Sequence, residues 1–216
     1  MTDTTDTTDT TDTSSGDESR PRDRRRNVPR AEARGILIDA TIDLFRVTPF
    51  AEVTTRKISQ AADINEFAIQ RIFGSQLDLF AVVAKELNSR FAVRFAQLPA
   101  DEVQPGALLD PDLVLRTRLI AWLLGNGADP ETLKIDPALA LNQALLDRNR
   151  EVGAVSDETA RLYTQIIIYL AEGFITFAAT HDTRPDDLMR EAQLIAKFRD
   201  ALPQFERELG WADDQN

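Results

Sequence analysis

Covalent chemistry has few side chains to work with in this chain. It contains no cysteine and one histidine, His181. Thiolate nucleophiles, disulfides, zinc ribbons and histidine metal clusters are therefore excluded, and a triad has no second imidazole to draw on. No catalytic constellation is visible, so we expect a non-enzyme with no cofactor and no metal. His181 is read as a cap or surface residue near a helix end. The residues that could do chemistry are mostly hydrogen-bonding ones, gathered in a short stretch with Phe67 and Ala68 among them. Thr54, Thr55 and Arg56 come first, then Asn65, Glu66, Phe67, Ala68, Gln70 and Arg71, then Ser75 and Gln76. Hydroxyls, guanidinium forks and amides of this kind can bond phosphate oxygens and base edges. Double-stranded DNA offers both, but the same residues could equally form a solvated helix face, as Arg56 and Lys57 would in an ordinary surface helix.

Such contacts need rigid elements to hold them. Thr54 offers an N-cap for a helix reaching about Ala62 that buries Ile58 and Ala61. Asp63, Ile64 and Asn65 form a tight connection, and Asn65 caps a second helix, Glu66 to Phe73, which Gly74 closes. Ser75 with Asp78 three residues on has capping-box spacing and opens a long helix from Gln76 to about Gln97. Upstream, Leu37, Ala40 and Leu44 share a helical stripe with Ile38, Ile42 and Phe45 beside it, between Pro29 and Pro49. Two helices joined by a three-residue turn and flanked by supporting helices make a helix-turn-helix.

The net charge of −11 seems hostile to nucleic acid, but its distribution matters more. Residues 1–19 carry −6, residues 20–80 carry +3 and residues 81–216 carry −8. The basic block holds the motif, and an acidic body confines contact to one end. Residues 1–19 repeat a Thr-Thr-Asp pattern with nothing to bury, so disorder is expected there. The arm after them includes Arg24, Arg25 and Arg26. It is read either as a solubilising linker or as an arm entering a minor groove. No stretch near the start resembles a signal peptide, and Ile166 to Thr180 is too short and is interrupted by Glu172. A cytoplasmic protein without membrane contact is expected.

Beyond a loop-like stretch from Leu98 to Pro111, helical patterns resume at about Asp112–Gly125, Pro137–Glu151, Asp157–Thr180 and Pro185–Leu209. No period-two alternation suggests a sheet. The pattern from Asp157 to Thr180 is apolar nearly all round, which calls for burial on nearly all sides. A second copy of the chain would supply it, so a homodimer is expected, with Ile166, Phe174 and Phe177 at the interface. Phe91, Phe95, Trp122, Tyr163 and Tyr169 are either ordinary core or the lining of a cavity. Glu172 among apolar neighbours needs a partner or a wet cavity, and Arg116 or Arg118 could provide the partner.

The run from Thr54 to Asn65, continuing through Ala68-Ile69-Gln70-Arg71-Ile72-Phe73 to Ser75 and Asp78-Leu79-Phe80, resembles the helix-turn-helix of the tetracycline-repressor (TetR) family. The match covers roughly residues 34–82; beyond it the likeness is one of layout. The resemblance implies an all-α fold, with a three-helix DNA-binding domain at residues 30–75 and a ligand-binding and dimerisation domain at residues 76–216. Residues 1–29 form the tail and arm. Thr55 and Arg56 would meet phosphate or a base edge, Asn65 to Ala68 and Gln70 would face the major groove, and Ser75 and Gln76 would anchor to phosphate. The last two helices would pair with those of a partner subunit. The middle helices would enclose a small hydrophobic or amphipathic ligand, with Phe91, Phe95, Trp122, Tyr169 and Glu172 as candidates. Three positions depart from the family: Asp63 stands for the usual glycine of the turn, Gln70 for a common tyrosine, and Gln76 for a usual lysine. Asp63 suits the turn, but Gln70 and Gln76 leave open a second reading, a helical small-molecule-binding or interaction protein that has lost DNA binding.

Overall fold

The structure is a computed structural model that describes residues 28–97, 110–134, 155–177 and 185–211, with 143, 146, 147, 150 and 180. The described residues are helical, with no strand among them. Helix α1 (Arg30–Val47) starts directly after Pro29 and ends at Thr48, whose extended backbone suits the residue before Pro49. A 3-10 turn (Phe50–Glu52) leads to α2 (Thr55–Ala62), where the Thr54 hydroxyl accepts from the Lys57 N–H at 3.3 Å. Asp63 then adopts φ 50°, ψ 39°, the left-handed conformation that stops α2. Among the described residues it is the one non-glycine with positive φ, and aspartate tolerates that region better than most.

Helix α3 (Phe67–Phe73) begins one residue later than the sequence pattern suggests. The Asn65 side chain caps it, accepting from the Phe67 N–H at 2.9 Å, and Gly74 closes it at φ 94°. A side chain at Gly74 would be strained at that φ, and its Cβ would lie 3.1 Å from the Asp78 carboxylate. Ser75 caps α4 (Gln76–Ala96), its oxygen accepting from the Asp78 N–H at 3.0 Å and its hydroxyl donating to the Asp78 carboxylate at 2.7 Å. Asp110 caps α5 (Pro111–Gly125), and Asp129 caps α6 (Pro130–Leu133), a single turn that the sequence pattern does not reveal. Two long helices follow, α7 (Asp157–Phe177) and α8 (Pro185–Glu208). The helical pattern at Pro137–Glu151 falls largely outside the described residues, as do the arm arginines Arg24, Arg25 and Arg26, and His181.

One core cluster runs without a break from α1 through α6, joining Leu37, Ile42, Ile58, Ile69, Phe80 and Leu123 among others. Its centre is aromatic. Phe45 meets Phe80 edge to face at 4.7 Å and Phe50 at 4.9 Å, while Trp122 of α5 lies 5.9 Å from Phe80. A second cluster gathers Phe91, Ala92, Phe95, Leu113 and Ile175, tying α4 and α5 to α7. One expected placement is corrected. Ala61 is exposed, and Ser59 is buried in α2 beside Ile58 instead; the Ser59 hydroxyl is satisfied by the Ile64 carbonyl at 2.5 Å. Burying a hydroxyl is inexpensive once it has an acceptor.

The two long helices are joined by a buried carboxylate. Glu206 of α8 accepts from the Ser156 backbone N–H at 3.0 Å and from the Thr159 hydroxyl at 2.8 Å, satisfying the first turn of α7. Its hydrogen bonding to Ser156, then to Thr159, outweighs burial and holds the carboxyl below its ordinary value. A depressed carboxylate contributes stability above its unfolded pKa of about 4.3, and that contribution is lost as pH falls through the folded value. Glu206→Gln should therefore cost about 1–3 kcal/mol at pH 7, and its deficit against the parent chain should shrink below about pH 4. Urea unfolding at both pH values reads this directly. A deficit independent of pH would show that the charge contributes nothing.

Candidate functional site

The helix-turn-helix presents one solvent-facing rim. Asn65, Glu66, Phe67, Gln70 and Arg71 are exposed along the start and outer face of α3, Thr54 and Arg56 at the start of α2, and Ser75 at the cap of α4. Phe67 is 80% exposed, an unusual position for a phenyl ring that no core contact explains. Ala68, expected on this face, is corrected: it is buried, as is Ile69, and both hold α3 onto the core. A seven-residue helix makes barely two turns, so the face opposite Ala68 and Ile69 is where its outward residues must stand.

Thr55, Glu66, Phe67, Gln70, Ser75 and Gln76 surround a shared cleft between α2, α3 and the start of α4. Two of these side chains already have partners. The Thr55 hydroxyl donates to the Glu66 carboxylate at 2.5 Å, and the Gln76 amide donates to the Val53 carbonyl at 2.7 Å. Gln76 thus fixes the entry to α2 with one of its two amide N–H donors. Arg56 and Arg71 make no ion pair among the described residues, whereas Lys57 lies 4.0 Å from Glu52. Arg34 of α1 sits over the Phe73 ring at 5.8 Å, leaving its charge at the same end of the molecule.

A second site lies in the middle of the chain. A cavity of about 420 Å³ opens between α4, α5, α6 and α7. Phe91, Phe95, Tyr169 and Glu172 line it together with Asn88 and Arg116. Trp122 is corrected: it packs against Phe50 and Phe80 in the aromatic core and does not line the cavity. Tyr163 likewise turns away, donating to the Ile195 carbonyl of α8 at 2.8 Å, and burial pushes its phenol up to about 12. Arg116 is buried and its Nη1 meets the Glu172 carboxylate at 2.6 Å, while Arg118 is exposed. Asn88 was missed from sequence, although its register announces it: it falls in the stripe Phe80, Ala84, Phe91, Phe95, where an amide needs a reason to be buried.

An ion-pair network joins the two regions. Asp112, one turn before Arg116 on α5, is buried and binds Arg46 of α1 at 3.1 Å and Arg94 of α4 at 3.0 Å. Arg94 also binds Asp110 at 2.7 Å, and that hydrogen bond raises its pKa against the opposing effect of burial. The helix that lines the cavity is therefore pinned to the end of the helix that carries the helix-turn-helix.

The outer faces of α7 and α8 carry apolar side chains in helical register. Ile166, Leu170 and Phe177 are exposed along α7, and Leu194, Phe198, Phe205 and Leu209 along α8 and its end. Phe174 is half-buried against the second cluster, so it is shared between core and surface. The expectation of an apolar helix all round resolves into an inner face packed in the protomer and an outer one left bare. Among the described residues no single helix is long and apolar enough to cross a membrane.

No protein-family model matches the sequence, and no curated protein matches it either. Among solved structures, the TetR family repressor AlkX from Dietzia sp. strain DQ12-45-1b, implicated in biodegradation of n-alkanes, is similar in structure. The TM-score is 0.55 at 18% identity, covering 82% of this chain and 98% of that one. Over most of its length, this chain has the fold of a TetR family repressor.

Proposed function

We propose that this chain is a transcriptional repressor that binds a palindromic operator as a homodimer in the cytoplasm, its DNA affinity set by a small hydrophobic or amphipathic molecule. The observation that carries the reading is the exposed rim of the helix-turn-helix. Gln70, Arg71 and Phe67 stand on the free face of α3, beside Arg56, which has no ion pair among the described residues, in a repressor fold. Residues 30–75 would act as the DNA-binding domain and residues 76–216 as the regulatory one. The division is functional, since their cores are continuous. Phe67 would pack on a thymine methyl and Gln70 would pair with adenine N6 and N7. Arg24, Arg25 and Arg26 would follow the phosphates or enter the minor groove. Asn65, Glu66 and Ser75 would complete the contacts at the helix starts.

Regulation requires the ligand to bind the DNA-competent and relaxed states unequally. The cavity is within the usual range of about 300–1,000 Å³ for small-molecule sites. Because α5 both lines it and holds Arg46 through Asp112, a shift of α5 on ligand binding would tilt α1 and the module with it.

Selection from random DNA tests the DNA reading. It should enrich a palindrome whose half-sites are about 34–36 Å apart or a multiple of that. Gln70→Ala should relax one base position per half-site at a cost of about 1–3 kcal/mol, while Arg56→Ala should weaken all sites alike. The occupied Gln76 amide and Thr55 hydroxyl favour a second reading, a small-molecule-binding protein that has lost DNA binding. Absence of any enriched site would overturn the DNA reading and leave that alternative.

A further inference from the structure

The cavity contains a cation with more hydrogen-bonding capacity than the protein uses. Arg116 is more than nine-tenths buried, and among the described residues its ion pair is to Glu172 and its buried Nε has no hydrogen-bond partner. A guanidinium has five N–H donors and gains most when a planar acceptor takes two of them together. Leaving such a donor dry and unpaired is costly. Glu172 is the better-hydrated member of the pair, its side chain about a third exposed (34%), so it is the cation that lacks compensation. Lys134 also borders the cavity, but it is exposed and paired with Glu131 at 2.7 Å, so among the described residues Arg116 is the cation that faces the interior. The rest of the wall is largely apolar, with Phe91, Phe95, Leu113 and Ile175 buried around it.

We propose that the cavity binds an amphipathic monocarboxylate, its apolar tail among these side chains and its carboxylate on Arg116, where Glu172 acts as a built-in competitor. The inference rests on the ligand-regulated reading above and narrows it to an anion. A ligand carboxylate takes up the donors that Arg116 leaves unused and weakens its hold on Glu172. Since Arg116 belongs to α5 and Glu172 to α7, the ion pair ties these helices together when the cavity is empty and loosens when it is filled. A cationic amphiphile has the opposite problem: it must take Glu172 from Arg116 and leave a buried guanidinium unpaired.

Calorimetric titration of the full chain with dodecanoate, dodecan-1-ol and dodecylammonium, all below their micellar concentrations, tests this without DNA. Dodecanoate should bind at least about tenfold more tightly than either of the others. Glu172→Gln keeps the shape of the side chain and removes the competing charge, so it should tighten dodecanoate about tenfold and leave dodecan-1-ol unchanged. Arg116→Gln alone strands Glu172 and risks the fold. The double variant Arg116→Gln with Glu172→Gln avoids that, and should bind dodecan-1-ol as before with no preference for dodecanoate. Equal binding of dodecanoate and dodecan-1-ol by the parent chain overturns the anion and leaves the cavity reading intact. So does a preference for dodecylammonium that Glu172→Gln abolishes. Binding of none of the three overturns both.

Discussion

A chain carrying Phe177→Asp should sediment as a monomer at micromolar concentration and bind a palindromic operator on the order of a thousandfold more weakly than the parent. The size follows from linkage: two tethered half-site readers turn the second contact into an intramolecular one, and separating them forfeits a factor of about 10²–10⁴. The position follows from the bare stripe. Ile166, Leu170, Gly173 and Phe177 recur on α7 at spacings of four, three and four residues, and Phe177 is 58% exposed. Leu194, Phe198, Phe205 and Leu209 repeat the pattern on α8. Apolar side chains in such numbers on adjacent helices call for a partner. Gly173 separates loss of the dimer from loss of the fold. A Cβ there meets no atom within 4 Å among the described residues, so Gly173→Arg should leave the isolated fold unharmed, or slightly better off through helix propensity. Against a second copy of α7, the same side chain would clash. A parent chain that is itself monomeric at micromolar concentration, or a Gly173→Arg chain that still dimerises and binds operator normally, would overturn this face as the interface.

The sequence signals that succeed here are those whose partners lie within one turn. Thr54, Asn65 and Ser75 each cap a helix through a bond to a residue two or three positions away. Asp63 and Gly74 stop helices by their own backbone conformations. Signals fail where the answer depends on distant chain. Ala68 and Phe67 are adjacent in a helix of barely two turns, and only the packing of α3 on the core decides which faces water. Ser59 is buried instead of Ala61 because the turn brings the Ile64 carbonyl to its hydroxyl. Trp122 was a candidate for the cavity because aromatic spacing cannot separate two faces of α5; Phe50 and Phe80 claim it. The Arg46–Asp112 pair spans 66 positions and left no trace in local pattern. Glu172 is intermediate: its apolar neighbours announced the need for a partner, and the fold chose Arg116 over Arg118.

The largest loss of stability is expected at the aromatic centre. Phe80 is fully buried on α4, edge to face with Phe45 of α1 and tilted against Trp122 of α5. Phe80→Ala removes the ring from both contacts and leaves a void that three helices must collapse to fill. Buried Phe→Ala changes cost about 3–5 kcal/mol, set against about 5–15 kcal/mol for a whole domain. Collapse is difficult here because α1 and α5 are held apart by more than this ring. The Arg46–Asp112–Arg94 ion pairs fix the end of α1 against the start of α5, so the upper part of the range applies. Phe80→Leu refills much of the volume without the edge-to-face contact and should cost distinctly less. A double-mutant cycle between Phe80→Leu and Trp122→Leu should recover a coupling of about 0.5–1.5 kcal/mol from the ring pair. The consequence reaches beyond stability, since α1 supports the helix-turn-helix and α5 lines the cavity. Loosening their common ring should weaken the effect of a cavity ligand on DNA affinity by more than it weakens either binding event alone. Urea unfolding of the two Phe80 variants, with operator titrations in the presence and absence of dodecanoate, measures both effects. A Phe80→Ala loss below about 1 kcal/mol would place the junction between the two regions elsewhere, at the ion pairs rather than the rings.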